Sequence, residues 1–259
     1  MNRAMGIGVA VLLWAAVAGA RMPTGSLLEG VAPGPDGRID VLTVFAHQDD
    51  ESIYGGGAVL LMMQDARVRL HILCMTFDQT SAAMENLGIS ADHIGRIRVQ
   101  ELETAGAVYG AEEVIQFTYP SRSLSEVGDE KLAGEVLAAM ERTTAEVVVT
   151  HDPGGLTGHW DHVTTSRVTT AAFAGSPAQV LYYPTLPAGL YRLAHENSNY
   201  GRLGTPARPD FHVNIRAVKK LKRMACYAHA SQMWFTGVGV LTNGFLLMPY
   251  EYFAVGGRK

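Results

Sequence analysis

The chain has 259 residues, of which 47% are hydrophobic and 18% charged. This length and composition suit one large domain with a well-buried core. Lys and Arg number 21 against 25 Asp and Glu, which gives a net charge of −4 and a pI near 6.1. An acidic chain offers no basic surface for a phosphate backbone, so we expect no nucleic-acid partner.

The first twenty residues differ in composition from the rest of the chain. Arg3 is their only charged residue, residues 6–17 are apolar, and the segment closes with the small residues Ala-Gly-Ala. This pattern is typical of a secretory signal peptide over residues 1–20, so we expect an exported protein, secreted or periplasmic, with a mature domain at residues 21–259. The apolar run is shorter than the roughly 20 residues that span a bilayer, which makes an uncleaved membrane anchor the second choice. A buried N-terminal helix is the third.

Short apolar runs then alternate with helix-like segments. The predicted strands are residues 40–45, 69–76, 114–119, 147–150 and 179–183. The predicted helices cover residues 53–64, 93–109 and 130–142, and another begins near residue 162. Such alternation predicts an α/β fold with a mainly parallel sheet and right-handed crossovers, in a single domain. The commonest doubly wound strand order, 3-2-1-4-5, makes strands one and four neighbours.

The remainder of the chain is less regular. Residues 211–215 are predicted to form an extra strand and residues 218–227 a basic-faced helix, followed by a tail that ends near residue 253. We expect residues 78–92 and 185–210 to form loops that set substrate specificity.

Two polar clusters follow strands one and four. His47, Asp49 and Asp50 come directly after the first strand, and His159, Asp161 and His162 follow the fourth. Because the carboxyl ends of neighbouring parallel strands meet at one edge of a sheet, we expect these clusters to converge. Two imidazoles and a carboxylate form the ligand set of catalytic zinc, which keeps a position open for water.

Each feature also has a simpler interpretation. Adjacent acids are common at helix N-termini, and isolated His pairs in turns usually bind nothing. Arg98 and Glu101 lie one turn apart and are predicted to form a helix-surface ion pair rather than substrate contacts. The run Gly55 to Gly57 lacks the spacing of a dinucleotide loop, since Leu60 stands where the third glycine belongs, so close packing explains it better.

The two cysteines, Cys74 and Cys226, fit buried thiols better than a disulfide framework. His93 and His151 give only weak indications of a functional role. His229 and Gln232 are equally compatible with packing and with the edge of a substrate site.

Four motifs, in this order, resemble the PIG-L/LmbE-type zinc-dependent de-N-acetylases. They are Ala-His-Gln-Asp-Asp-Glu at residues 46–51, Arg98 and Glu101 with Gly110, Gly-His-Trp-Asp-His at residues 158–162, and Ala-His-Ala-Ser-Gln at residues 228–232. The likeness covers roughly residues 40–253. It implies a Rossmann-like three-layer α/β sandwich and the removal of acetyl groups from N-acetylglucosamine-type substrates, either lipid-linked or small-molecule glycosides.

The same resemblance implies roles for individual residues. His47, Asp50 and His162 hold zinc, Asp49 is the general base, and His159 stabilises the oxyanion with Asp161 orienting it. We expect His159 to act as an imidazolium. The weakest assignments are the substrate contacts Arg98, His229 and Gln232. Gln48 replaces the proline usual in the family, and Thr157 replaces a tyrosine present in some members.

Alternative functions remain open at this point. A His/His/Asp set also accepts Fe²⁺, Co²⁺ or Mn²⁺. The enzyme would act on an amino sugar or a glycolipid, on another N-acyl glycoside, or on a thiol conjugate. A metal-bearing sugar-binding protein without turnover is a further hypothesis, whereas a dinucleotide-dependent oxidoreductase is disfavoured by the glycine spacing. The only membrane contact expected is through residues 1–20 if they remain attached, and the sequence does not give the oligomeric state.

Overall fold

The structure, a computed structural model, describes residues 22–80, 88–196, 204–233 and 248–259. The predicted signal peptide at residues 1–20 lies outside this part of the chain and stays a prediction. Within it the strands are Ile39–Phe45 (β1), Val68–Phe77 (β2), Glu113–Pro120 (β3), Val147–Thr150 (β4), Val180–Thr185 (β5), Phe211–Asn214 (β6) and Tyr250–Arg258 (β7).

The strands form one sheet in the order β3-β2-β1-β4-β5-β7-β6. Strands β1 to β5 are parallel, whereas β7 runs antiparallel between β5 and β6. The predicted order of the first five strands is confirmed, as is the extra strand at β6. The insertion of β7 was not predicted.

The described α-helices alternate with these strands. They are Asp50–Ile53 (α1), Gly56–Met62 (α2), Ala91–Tyr109 (α3), Leu124–Val127 (α4), Asp129–Arg142 (α5), Gly155–Gly158 (α6), Trp160–Gly175 (α7), Ala188–Glu196 (α8), Lys219–Ala228 (α9) and Ala230–Met233 (α10). The single helix predicted at residues 53–64 is wrong, because Gly55 takes a left-handed φ of 84° that separates α1 from α2. A side chain at Gly56 would overlap Tyr109, so close packing accounts for that glycine.

Two apolar layers flank the sheet. Alternate residues of β1 point to opposite faces: Val41 and Phe45 pack with α2, α3 and α9, while Leu42 and Val44 pack with α5 and α7. This arrangement confirms the α/β fold with three layers. Cys74 and Cys226 are buried and unbridged. None of the helices described has both the length and the apolar character needed to cross a bilayer.

Candidate metal centre and active site

The two polar clusters meet at the carboxyl ends of β1 and β4. These strands are hydrogen-bonded in parallel register, with Val44 opposite Thr150. The chain leaves β1 into His47, Asp49 and Asp50, and it leaves β4 into the turn that precedes α7. The neighbouring strands therefore bring residues more than a hundred positions apart in sequence into contact.

Three ligand atoms converge at the centre of this site. His47 Nδ1 lies 3.0 Å from His162 Nε2, and Asp50 Oδ2 lies 3.4 and 3.3 Å from these two nitrogens. All three residues are buried. Metal–ligand bonds of about 2.1 Å in a tetrahedral site place ligand atoms about 3.4 Å apart. The spacing therefore fits a single small divalent cation.

The outer nitrogens of both imidazoles are held by oxygen atoms. His47 Nε2 lies 3.1 Å from Asp161 Oδ2, and His162 Nδ1 lies 3.0 Å from the carbonyl oxygen of Gly155. An imidazole that donates its outer N–H in this way turns the lone pair of its other nitrogen inward, as metal-bound histidines do. The chemistry of the donor set therefore agrees with the spacing, and the residues fit a metal ion.

Asp49 lies beside the convergence point in a strained turn. Its φ is 116°, which is uncommon for a residue other than glycine, and its N–H donates to Glu51 Oε2. Burial raises the pKa of its carboxyl to about 7, against the opposing influence of the Arg98 guanidinium 3.6 Å away. Such a carboxyl can exchange a proton near neutral pH, as a general base requires.

His159 and Asp161 differ from the sequence interpretation. The Asp161 carboxylate contacts His47 and accepts the N–H groups of Arg122 and Leu124, while only its backbone N–H donates to His159 Nδ1. Burial lowers the pKa of His159 to about 3, with the neighbouring His47 acting in the same direction. The predicted imidazolium is therefore corrected to a neutral imidazole whose Nε2 carries the proton.

Arg98 is not on the helix surface. Its side chain is 3% exposed, donates to Asp78 and to the carbonyl oxygens of Gln48 and Thr80, and faces Asp49. Glu101 instead binds the backbone N–H and hydroxyl of Ser231, both at 2.7 Å. The predicted Arg98–Glu101 ion pair is wrong. Although the two residues lie one turn apart on α3, Arg98 binds the segments that follow β1 and β2, and Glu101 binds Ser231.

The other two assigned substrate contacts are also buried. His229 Nε2 lies 2.7 Å from Glu51 Oε1, and the nearby carboxylates of Glu51 and Asp49 outweigh burial to raise the pKa of this histidine. The side-chain amide of Gln232 donates to Ser231. Arg98 and His229 thus bind groups of the segment that follows β1, whereas Gln232 binds its neighbour Ser231. A direct contact with substrate stays a prediction.

His151, for which the sequence analysis found only a weak indication of function, lies in the site. Its Nε2 lies 3.2 Å from Asp50 Oδ2 and 3.2 Å from the backbone nitrogen of Ala46, and its ring stacks on His162 at 4.0 Å. The side chain is almost fully buried. The position of His151 could have indicated a site residue, because His151 directly follows β4, the strand beside β1, and comes before the second cluster.

The structure also shows the contacts of Gln48 and Thr157, the two residues that depart from the family pattern. The Gln48 side-chain amide donates to the carbonyl oxygen of Thr76 and to Gln116, so it ties the turn after β1 to the end of β2. Thr157 Oγ1 lies 3.5 Å from His162 Nδ1. Each of the two predicted specificity loops, residues 78–92 and 185–210, is described only in part, since residues 81–87 and 197–203 lie outside the described residues. Part of the second loop forms α8.

Comparison with known proteins agrees with this geometry. Residues 42–173, which contain both clusters, match the model of the PIG-L family, described as GlcNAc-PI de-N-acetylase. The chain belongs to the PIG-L family. The predicted family is thereby confirmed. The chain is also 29% identical over 231 residues to 1D-myo-inositol 2-acetamido-2-deoxy-alpha-D-glucopyranoside deacetylase of Saccharomonospora viridis, an alignment that covers 74% of this chain and 85% of that protein.

Solved structures support the fold of this PIG-L family member. The 4-carboxy-2-hydroxymuconate hydratase of Pseudomonas putida has a TM-score of 0.63 at 17% identity, covering 85% of this chain and 97% of that one. The N,N'-diacetylchitobiose deacetylase of Pyrococcus horikoshii has a TM-score of 0.58 at 18% identity, covering 88% and 85%. A hydratase and a deacetylase share this fold, so the fold alone does not decide the reaction.

Proposed function

We propose that this protein is a zinc-dependent hydrolase that removes the acetyl group from an N-acetylglucosamine-type substrate. One observation carries the proposal: the inward nitrogens of His47 and His162 and the Asp50 carboxylate converge within 3.4 Å, beside a second carboxyl at Asp49. The name of the Saccharomonospora viridis relative, a deacetylase of an acetamido sugar, points to the same bond.

A zinc ion held by His47, Asp50 and His162 would polarise the amide carbonyl and acidify water. Asp49, as a carboxylate, accepts the proton of the attacking water, a contribution of about 10²- to 10⁴-fold in rate. His159, as a neutral imidazole with its proton on Nε2, donates a hydrogen bond to the oxygen that gains negative charge. The proton on Asp49 is then available to the departing amine.

The choice of substrate rests on the relatives. Amino-sugar substrates are supported by their names, and a lipid-linked glycan is the finer alternative within this proposal. Hydrolysis of another N-acyl glycoside or of a thiol conjugate uses the same residues. The alternative of a sugar-binding protein without turnover would be supported by a sugar ligand that binds and releases no acetate.

The direct test is acetate release from a panel of N-acetylglucosamine glycosides, with and without an inositol or lipid aglycone. The protein is assayed after chelation and again after separate reloading with Zn²⁺, Fe²⁺, Co²⁺ or Mn²⁺. We expect acetate only from metal-loaded protein, and the metal content of freshly purified protein identifies the ion held in the cell. Calorimetric binding of a glycoside with no acetate release would contradict the hydrolase proposal.

Two variants separate metal binding from proton transfer. Asp49→Asn should bind metal as the wild type does and lose about 10²- to 10⁴-fold in kcat, since the amide is no base. His162→Ala should lose both metal and activity, because one of three ligands is gone. Metal content by mass spectrometry and acetate release by coupled assay give the two readings. A fully active Asp49→Asn protein would remove Asp49 from the reaction.

Export is proposed separately. It is supported by the apolar segment at residues 6–17, the single charge before it and the small residues that follow it. Fractionation of the producing cell followed by N-terminal sequencing tests this. A mature protein outside the cytoplasm that begins near residue 21 agrees with a cleaved signal peptide, whereas an intact N-terminus in the membrane fraction indicates an anchor.

A further inference from the structure

Helix α9 exposes an apolar stripe on its outer face. Leu221 is 41% exposed, Met224 48% and Tyr227 39%, and these are three of the five large hydrophobic side chains that are exposed in the described part of the chain. They are spaced three residues apart, so they follow one another along the helix surface. Single exposed apolar side chains are common, whereas neighbouring ones that form a stripe on one helix mark a candidate contact surface.

Cations border this stripe. Residues 216–233 contain Arg216, Lys219, Lys220, Lys222 and Arg223 and no Asp or Glu, although acids outnumber bases in the chain as a whole. Lys220 and Arg223 are exposed on α9, whereas Lys222 is buried. Arg216, just before α9, is exposed and donates to the Tyr250 hydroxyl. This segment therefore holds five of the chain's 21 Lys and Arg residues, and the exposed ones among them lie beside the apolar stripe.

The inner face of α9 is fixed to the protein. Lys222 Nζ binds Glu251 at 2.6 Å and the carbonyl oxygen of Ile53, and Cys226 Sγ contacts the carbonyl oxygen of Ser52. The helix is thus a rigid part of the domain, and only its outer face is available to a partner. That partner must offer an apolar region next to negative charge.

We propose that the outer face of α9 docks on an anionic phospholipid bilayer, with Leu221, Met224 and Tyr227 entering the headgroup region and Lys220 and Arg223 meeting lipid phosphates. Helices that lie in a membrane interface combine such an apolar stripe with Lys and Arg. The contact is distinct from any contact made by residues 1–20. The proposed docking does not depend on the proposed reaction. Helix α9 packs on its inner side against α1, which carries Asp50.

Vesicle binding tests this surface. The full chain is sedimented with vesicles of phosphatidylcholine mixed with phosphatidylglycerol and with vesicles of phosphatidylcholine alone. We expect binding to the mixed vesicles that weakens as salt is added. Lys220→Gln with Arg223→Gln should reduce binding about 25-fold, at about fivefold for each charge removed. Leu221→Ser with Met224→Ser should reduce it roughly tenfold or more.

Matched controls come from other surfaces. Val255→Ser removes an apolar residue of similar exposure on β7, and Lys131→Gln removes an exposed charge on α5. Both should bind vesicles as the wild type does, and all proteins share residues 1–20, so that segment contributes equally. Thermal unfolding checks that each variant is folded.

Several results would overturn the proposal. These are binding that is equal on both kinds of vesicle, no binding at all, or α9 variants that bind like the controls. Concentration-dependent dimerisation that Met224→Ser abolishes, measured by sedimentation velocity, would show that a second copy of the chain covers this face instead.

Discussion

Arg98 lies among carboxylates that are buried together at the end of β1 and β2. It pairs with Asp78 and lies 3.6 Å from Asp49, so its positive charge offsets the burial of both acids. The guanidinium also holds the turn at Gln48 through the carbonyl oxygen of that residue. In the proposed reaction, Arg98 would therefore act through the position and the pKa of Asp49, as a positioning residue.

This role predicts a shift in the pH profile. Burial raises the pKa of Asp49 to about 7, and Arg98 lowers it. In the proposed reaction Asp49 works only as a carboxylate, so kcat/KM should fall on the acid side of its pKa in the metal-loaded enzyme. Arg98→Gln removes the lowering charge, so the acid limb of the profile should move to higher pH by about one unit. The profile of the metal-loaded enzyme measures this.

Arg98→Lys is the matched control, because it keeps the charge and loses the planar fork. Its acid limb should stay closer to that of the wild type, even if the overall rate falls. Equal profiles for Arg98→Gln and the wild type would show that Arg98 does not tune Asp49. Circular dichroism across the pH range separates loss of activity from loss of the fold.

His151 supports the metal ligands from behind. It contacts the Asp50 carboxylate and stacks on His162, so it limits the positions that both ligands can take. His151→Phe keeps an aromatic ring, of slightly larger size, and removes the nitrogens. Groups that hold metal ligands in this way typically contribute about 10- to 100-fold to metal affinity, and we expect a loss of that size for zinc.

Competition with a chromophoric chelator measures the dissociation constant for zinc. His93→Phe is the matched control, since His93 is an exposed histidine on α3. An affinity for zinc that is unchanged in His151→Phe would reduce this residue to core packing.

At the scale of elements, a buried ion pair joins four segments. Glu251 on β7 accepts the N–H groups of Gly57 and Ala58 at the start of α2 and binds Lys222 of α9. Lys222 also donates to the carbonyl oxygen of Ile53, at the end of α1. The pair therefore fixes the helices that follow the first metal-binding motif to the C-terminal strand.

Breaking this pair should destabilise the protein strongly. Lys222→Met leaves the Glu251 carboxylate buried beside an apolar side chain, so we expect the free energy of unfolding in urea to fall by about 3–5 kcal/mol. The double variant Lys222→Met with Glu251→Gln should lose less than the sum of its single variants, because no buried charge remains.

The exposed pair Arg142–Glu113 provides the comparison. Arg142→Met should change the unfolding free energy by less than about 1 kcal/mol, as surface pairs do. Equal losses of unfolding free energy in Lys222→Met and Arg142→Met would show that the buried Lys222–Glu251 pair contributes no more to stability than an exposed pair.

The sequence predicted those elements whose contacts are local or repeat along the chain. The β/α alternation predicted the order of β1 to β5, and hence the meeting of His47 with His159, whose rings lie 4.5 Å apart. It did not predict the partners of Arg98, because the helix period places Arg98 and Glu101 on one side of α3 without showing which segments cover them. Nor did it show His151 against Asp50, which depends on how the chain turns after β4.

At the scale of the molecule, the sheet is completed by the last segment of the chain. The family match ends at residue 173, before β5, yet β7 lies between β5 and β6 and forms ladders with both. The tail near residue 253 was predicted only as irregular, because an antiparallel insertion between distant strands leaves no periodic signal at short range. Tyr252 and Phe253 are fully buried in the resulting core.

The position of β7 predicts that this segment is essential for folding. A chain that stops at Pro249 would leave facing edges of β5 and β6 unpaired and would remove Glu251 from α2, so we expect it to be insoluble or to unfold without a cooperative thermal transition. Removal of Lys259 alone removes three hydrogen bonds, from its side chain to Phe173 and Ser176 and from its backbone N–H to Gln179, and the contact of its ammonium with the Phe173 ring. It should shift Tm by a few degrees. Soluble yield and circular dichroism on heating compare the two. A chain ending at Pro249 that melts like the wild type would show that β7 is an accessory strand and that residues before it form a self-sufficient fold.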